Sequence, residues 1–227
     1  MRGDDKTLSD FTAPFLEAFG GITRTPVDWE AASLDYVSDA RKRDAAARYR
    51  AKIEEMPEFA STDWTRPKFD QNRAAIAKVL GWQYGKTGLL LSGPTGRGKT
   101  RSLMDLFQRL ACEDGHEVRY WYAGDWFAHL GTQLNYGRDD ARGWVEAIAA
   151  RPLVILDDLG QEAIQTSKQD WAQAWFFRFL DLRIAKGLPL IVTTNLSAQD
   201  MAGRATQLRS DPLVRRLTEL CEVVKFA

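Results

Sequence analysis

Two regimes of apolar and polar residues follow one another along this chain. Up to about residue 66 the sequence is polar and alanine-rich. Tyr49, Ile53 and Met56 share one helical face there, and Pro57 ends the run. Asp28 stands where it can cap that helix, just after Pro26. The face opposite the apolar stripe is strongly charged. The helix therefore reads either as a solvated element packed on the rest of the protein or as a docking arm for a partner. "STDWTRP" reads as a linker. From residue 70 the pattern changes to helices and strands in alternation. Asp70 is placed to cap a helix in which Ile76, Val79 and Leu80 share a face. "GLLLSG", "PLVILDD" and "LPLIVTTN" are short apolar runs of the kind that form buried strands, and "EVRYWY" and "CEVVKF" supply two more. Helices are expected from Lys99 to about Asp114 and over "DWFAHLGTQL", "ARGWVEAIAA" and "QDWAQAWFFRFLDLRIAKG". Such alternation predicts an α/β protein whose parallel sheet is covered on both faces. The expected division is a helical segment over 1–66 and a main domain over 67–227.

Composition narrows the partners. The 227 residues carry a formal net charge of zero, so no overall basic field draws the protein onto nucleic acid or anionic lipid. Any such binding must come from a local patch or from several copies acting together. The two cysteines, Cys112 and Cys221, and the two histidines, His116 and His129, lack metal-ligand spacing. Both thiols read as buried filler, which fits a reducing compartment. The first ten residues hold no apolar signal region, and no stretch is long and apolar enough to cross a membrane. A cytoplasmic protein without a membrane partner is expected.

"GPTGRGKT", residues 93–100, fits G-x-x-x-x-G-K-[ST] at every fixed position and lies between a strand and a helix. Gly93, Gly96 and Gly98 let the backbone turn its N–H groups toward phosphate oxygens. Pro94, Thr95 and Arg97 complete that loop, and Arg101 follows it. A helix starting near Lys99 adds the positive end of its dipole. Lys99 is expected to reach the β- and γ-phosphates of ATP, and the Thr100 hydroxyl to ligate Mg²⁺. Asp157 and Asp158 end an apolar strand, and open α/β sheets bind ligands beyond such ends. Asp157 is then the second metal anchor, and Asp158 the group that polarises the attacking water. Asn195, after Thr193 and Thr194 at another strand end, offers a neutral amide to orient that water.

Two further stretches are open to both a functional and a plain reading. Trp171, Trp175, Phe176, Phe177 and Phe179 crowd one helix, as core or as a stacking surface for bases. Arg138 and Arg142 are expected in a loop, solvated or touching DNA phosphates.

"LLLSGPTGRGKT", "PLVILDDLG", "LPLIVTTNLS" and "DPLVRRL", in that order, resemble the AAA+ ATPases of the DnaC/IstB type over about residues 57–227. These are bacterial and phage helicase loaders and related transposition ATPases. The resemblance implies a five-stranded parallel sheet in the order 5-1-4-3-2 and a self-oligomer, a ring or spiral with ATP between subunits. Arg216 is then the finger that reaches the neighbour's γ-phosphate. Helical geometry keeps Arg215 as the alternative, since it points outward more freely, and the plain reading makes both ordinary surface charges. The stretch "DLRIAKG" also brings Arg183 toward the site by the same resemblance. Asp-Asp, where many AAA+ proteins have Asp-Glu, implies slow hydrolysis. No helical lid is expected after "EVVKFA", which leaves open what covers the adenine. The function implied first is a helicase loader that binds a hexameric DnaB-like helicase and places it on single-stranded DNA. The alternatives are an IstB-like transposition ATPase on duplex DNA and a nucleotide-gated adaptor or inhibitor that scarcely hydrolyses ATP.

Overall fold

The computed structural model describes residues 29–160, 170–195 and 210–227. Asp28 lies outside them, as do the side chains of Trp171 and Asp211. The chain forms two compact units, residues 1–38 and 39–227, and the second holds the sheet. Five strands, β1 (Gly88–Ser92), β2 (Val118–Tyr122), β3 (Leu153–Asp157), β4 (Leu190–Thr194) and β5 (Cys221–Lys225), lie side by side in the order β2-β3-β4-β1-β5. All pairings are parallel. Read from the other edge this is the expected 5-1-4-3-2. The three inner strands are apolar without alternation because both their faces are covered. At the edges, β2 and β5 admit Arg119, Glu222 and Lys225.

Seven α-helices are described: α1 (Trp29–Glu55), α2 (Arg73–Leu80), α3 (Lys99–Gln108), α4 (Ala123–Tyr136), α5 (Arg138–Ala149), α6 (Asp170–Lys186) and α7 (Ser210–Leu220). One face of the sheet packs Leu89, Leu91, Ile155 and Ile191 against Phe107, Val79 and, from α1, Ala45 and Tyr49. The other packs Leu90, Val154, Leu156 and Val192 against Trp126, Phe176, Phe179 and Leu217. The aromatic helix is thus core: Phe176 and Phe179 are fully buried, and Trp175 and Phe177 pack half-buried on the same cluster. The last turn of α3 widens into a π-turn over Arg109–Glu113, closed by Asp114 N–H donating to the Arg109 carbonyl at 3.0 Å. No described helix is long and apolar enough to cross a membrane.

Four local expectations are corrected. Asp70 does not cap α2: it sits inside a 3₁₀ turn, Pro67–Asn72, and pairs with Arg73 at 2.6 Å. Asn72 takes the cap position instead, with its amide bound to the backbone of Ala227 at both ends, 3.0 and 2.7 Å. The presumed linker is docked: the Trp64 indole donates to Asp105 at 2.7 Å, and its ring lies 4.8 Å from that of buried Phe69. Arg138 and Arg142 belong to the first turns of α5 rather than to a loop, because Gly137 supplies the whole break from α4. Cys112 is exposed on the π-turn, while Cys221 is buried.

Candidate nucleotide-binding site

The carboxyl ends of β1, β3 and β4 lie beside one another at one end of the sheet, and the residues that follow them line a cavity of about 380 Å³. Thr95, Gly96, Gly98, Lys99 and Thr100 form one wall, and Asp158, Thr193 and Asn195 another. Phe59, Lys68, Arg101 and Tyr122 complete it. The loop over 93–98 is shaped by steric limits at two glycines. Gly93 has φ 148°, and a Cβ there would stand 2.0 Å from the Phe226 carbonyl oxygen. Gly98 has φ 101° and would press a Cβ to 3.3 Å from the Phe69 ring. Segment 57–72 and Phe226, just past β5, therefore clasp the loop from two sides.

Lys99 is 6% exposed, and its ammonium donates to the carbonyls of Gly93 (2.6 Å) and Pro94 (2.8 Å) and to Asn195 Oδ1 (2.8 Å). Burial holds its pKa below the usual lysine range, against the opposing pull of Asp158 and Asp157. The Asn195 amide in turn donates to Asp158 Oδ1 at 2.8 Å, so Lys99, Asn195 and Asp158 form one hydrogen-bonded row. Asp158 adopts the left-handed conformation, φ 58°, which an aspartate tolerates better than most residues. Its N–H is held by Thr193 Oγ1 at 2.8 Å, and the next N–H, of Leu159, by the Thr193 carbonyl at 2.8 Å. That turn aims the Asp158 carboxylate into the cavity while Asp157 stays behind, fully buried.

Three hydroxyls serve Asp157. Tyr120 donates to Oδ2 at 2.5 Å, Thr193 donates to Oδ1, and Thr100 Oγ1 lies 3.2 Å from Oδ1. Burial raises the carboxyl's pKa, and the donors from Thr193, Tyr120 and Thr100 work against that rise. Burial and the adjacent Asp157 charge also push the Tyr120 phenol far above its ordinary range, so it is a donor in this pair. The donor set fits Mg²⁺: one carboxylate and one hydroxyl, both hard oxygens and within reach of a single cation, leave room for phosphate and water ligands. Among the described residues no cluster of three or more His, Cys, Asp or Glu side chains offers an alternative cage.

Residues 32–227 match a protein family described as IstB-like ATP binding protein. The chain belongs to that family. Among solved structures it is similar to DnaI (24% identity, TM-score 0.57, covering 73% of this chain and 88% of that one). It is also similar to the DnaC helicase loader (21%, TM-score 0.56, 74% and 96%). AMPPCP-bound DnaA from Aquifex aeolicus shares the fold as well (21%, TM-score 0.55, 72% and 51%). No curated protein matches at significant similarity. This chain is therefore an IstB-like ATP-binding protein that shares its fold with DnaI, the DnaC helicase loader and DnaA.

Within this IstB-like domain the structure gathers Lys99, Thr100, Asp157, Asp158 and Asn195 as their spacing predicts. Pro94, Thr95 and Gly96 are exposed along the loop, Arg97 is half-buried, and Arg101, on the cavity wall, donates to the Glu58 carbonyl at 2.7 Å, its guanidinium 5.0 Å above the Phe59 ring. Arg183 is not at the site. It is fully buried near the opposite end of the strands, where it donates to the carbonyls of Ala149, Arg151, Pro152 and Pro189, just ahead of β3 and β4. Desolvation lowers its pKa to about 10. Arg216 does not line the cavity either. Its Nε and Nη2 donate to Asp181 at 2.5 and 3.2 Å, Nη1 donates to the Pro212 carbonyl at 3.3 Å, and the guanidinium lies 4.7 Å over the Phe177 ring. Arg215 is exposed beside it, without a side-chain partner among the described residues. Both arginines border a separate hollow of about 690 Å³ with Asp181 and Glu219.

Sequence reading missed Tyr120, Tyr122, Phe59, Trp64 and Lys68. The alternation in "VRYWY" was the one usable signal: it sets Tyr120 on the face of the sheet shared by Ile155 and Asp157.

Proposed function

We propose that this protein is an ATP-hydrolysing helicase loader that works as an oligomer. The observation that carries the reading is the hydrogen-bonded row Lys99–Asn195–Asp158, set beside the Thr100–Asp157 pair at the mouth of one cavity. An arriving triphosphate offers Lys99 charged acceptors in place of the Gly93 and Pro94 carbonyls. Moving toward it, Lys99 releases the Asn195 carbonyl oxygen, and the freed amide can orient a water near the γ-phosphate. Asp158, already turned into the cavity, accepts a proton from that water. Thr100 and Asp157 would hold Mg²⁺, which supplies charge neutralisation to the β- and γ-phosphate oxygens. Arg216 of a neighbouring copy offsets the remaining charge. The part of segment 1–66 ahead of the core-packed Ala45 and Tyr49 serves as the arm that grips a DnaB-like hexameric helicase, and single-stranded DNA passes along the inner lining of the assembly. Fold similarity to the DnaC helicase loader supports this choice.

The IstB-like family description favours a second reading, an ATPase that wraps duplex DNA for a transposase. Fluorescence anisotropy with matched single and double strands, with a non-hydrolysable ATP analogue, separates the two; a clear duplex preference, recorded across salt, overturns the loader. Hydrolysis is tested by turnover of the wild type against Lys99→Ala. A wild-type rate at the variant's background makes the protein a nucleotide-gated adaptor instead. Capture of a replicative helicase by the full chain, and its loss on deleting residues 1–38, which leaves Ala45, Tyr49 and Trp64 in place, is the expected docking result.

A further inference from the structure

Asp157 has two oxygens and no exposure to solvent, so its orientation is set wholly by its neighbours. Oδ1 faces Thr100 and Thr193, the side on which the phosphate loop lies. Oδ2 faces Tyr120 on β2, 2.5 Å away. The phenol is itself gripped. Its ring lies near parallel to Phe107, with centroids 6.1 Å apart and 12° between planes. Lys52 of α1 places its ammonium 4.9 Å from the Tyr120 centroid. Tyr49, one turn earlier on α1, meets Phe107 edge-on at 5.3 Å. A hydroxyl at the tip of a ring held this way cannot swing, and the carboxylate it binds cannot rotate about its last torsion without breaking a charge-assisted bond.

We propose that Tyr120 is a positioning residue for the metal-binding carboxylate: by fixing Asp157 Oδ2 it aims Oδ1 at the cation shared with Thr100, and α1 steadies it through Lys52. The proposal rests on the assignment of Asp157 and Thr100 to Mg²⁺. Its physical content is that a ligand's outer partner sets the ligand's orientation, and with it metal affinity. The β2 tyrosine and the N-terminal helix thereby join the nucleotide site, although neither touches the nucleotide.

The test is a titration of Mg²⁺ into protein with a fluorescent ATP analogue, read as the Mg²⁺ concentration that gives half of the tight-binding signal. Mn²⁺ binding in the presence of ADP, followed by electron paramagnetic resonance, gives the same quantity without turnover. Tyr120→Phe keeps the ring and removes the donor. It is expected to raise the half-saturating metal concentration about tenfold, the usual size of an outer-partner loss, with nucleotide affinity in EDTA unchanged. Lys52→Ala leaves every atom around Asp157 in place and is expected to raise it about threefold, as one cation–π contact allows. Metal requirements of both variants within measurement error of the wild type overturn the proposal. Should Tyr120→Phe also lose nucleotide binding in EDTA, its fold has failed and the lysine variant decides. A wild type whose nucleotide binding ignores Mg²⁺ sinks the metal assignment itself, a result distinct from an unmoved variant.

Discussion

The two charged corners of this domain are built differently. At the phosphate loop, Lys99 and Asp157 are nearly or fully buried and each is held by three polar neighbours, so their geometry is complete within one protomer. At the α6–α7 corner, Arg216 has 27% of its side chain exposed and its carboxylate partner Asp181 52%, in an ion pair at the surface. A buried network of this kind is preorganised and costly to disturb. An exposed pair exchanges partners for little, typically 0.2–1 kcal/mol or about that. On the proposed function, the contrast separates a half-site ready for its ligand from a cation that would leave one anion to serve another.

The sharpest way to break that comparison is Arg216→Ala. If this arginine serves a neighbour's phosphate, ATP turnover falls about a thousandfold while nucleotide binding is spared. A comparable fall in Arg215→Ala with none in Arg216→Ala assigns the role to the exposed neighbour, and steady-state turnover with parallel binding titrations reads both. Next in size is Arg183→Ala on α6. Four carbonyls lose their donor in the interior, and urea unfolding should show a loss of about 3 kcal/mol. Nucleotide affinity of the folded fraction should not change; a selective loss of turnover would return Arg183 to the site. Asn195→Ala interrupts the Lys99–Asp158 row and should lower kcat about a hundredfold with little change in KM. The smallest effect is Asp181→Ala. Releasing Arg216 from its own surface should raise turnover about threefold at low protein concentration, in keeping with an exposed pair. A fall instead would make Asp181 a support for the arginine rather than a competitor.

Legibility in the sequence followed how locally each feature is determined. The phosphate loop and the Asp157–Asp158 pair are contiguous, and strand–loop–helix punctuation places them without knowledge of the rest of the fold. The inner strands are equally plain, since burial on two faces leaves unbroken apolar runs. Tyr120 and Arg183 escaped, or were misplaced, because their roles come from cross-strand neighbours and from carbonyls that no spacing rule brings together. Tyr120 reaches Asp157 across 37 positions of sequence, and Arg183 meets Ala149 across 34. The segment around Trp64 read as a linker for a related reason: a few aromatics among polar residues carry no period, and their burial depends on α3 and the loop being already there. Asp70 lost the cap to Asn72 because a residue two positions on finds the backbone of Ala227, a partner invisible to local rules.

The place of β1 between β4 and β5 has a consequence for how the protein is made. The strand that carries the phosphate loop gains both its lateral neighbours from segments translated long after it. Asn72 and Gly93 likewise await Ala227 and Phe226. On the ribosome, then, the region that grips nucleotide is synthesised early and matures late, and a nascent chain lacking the residues from Cys221 onward has yet to close it.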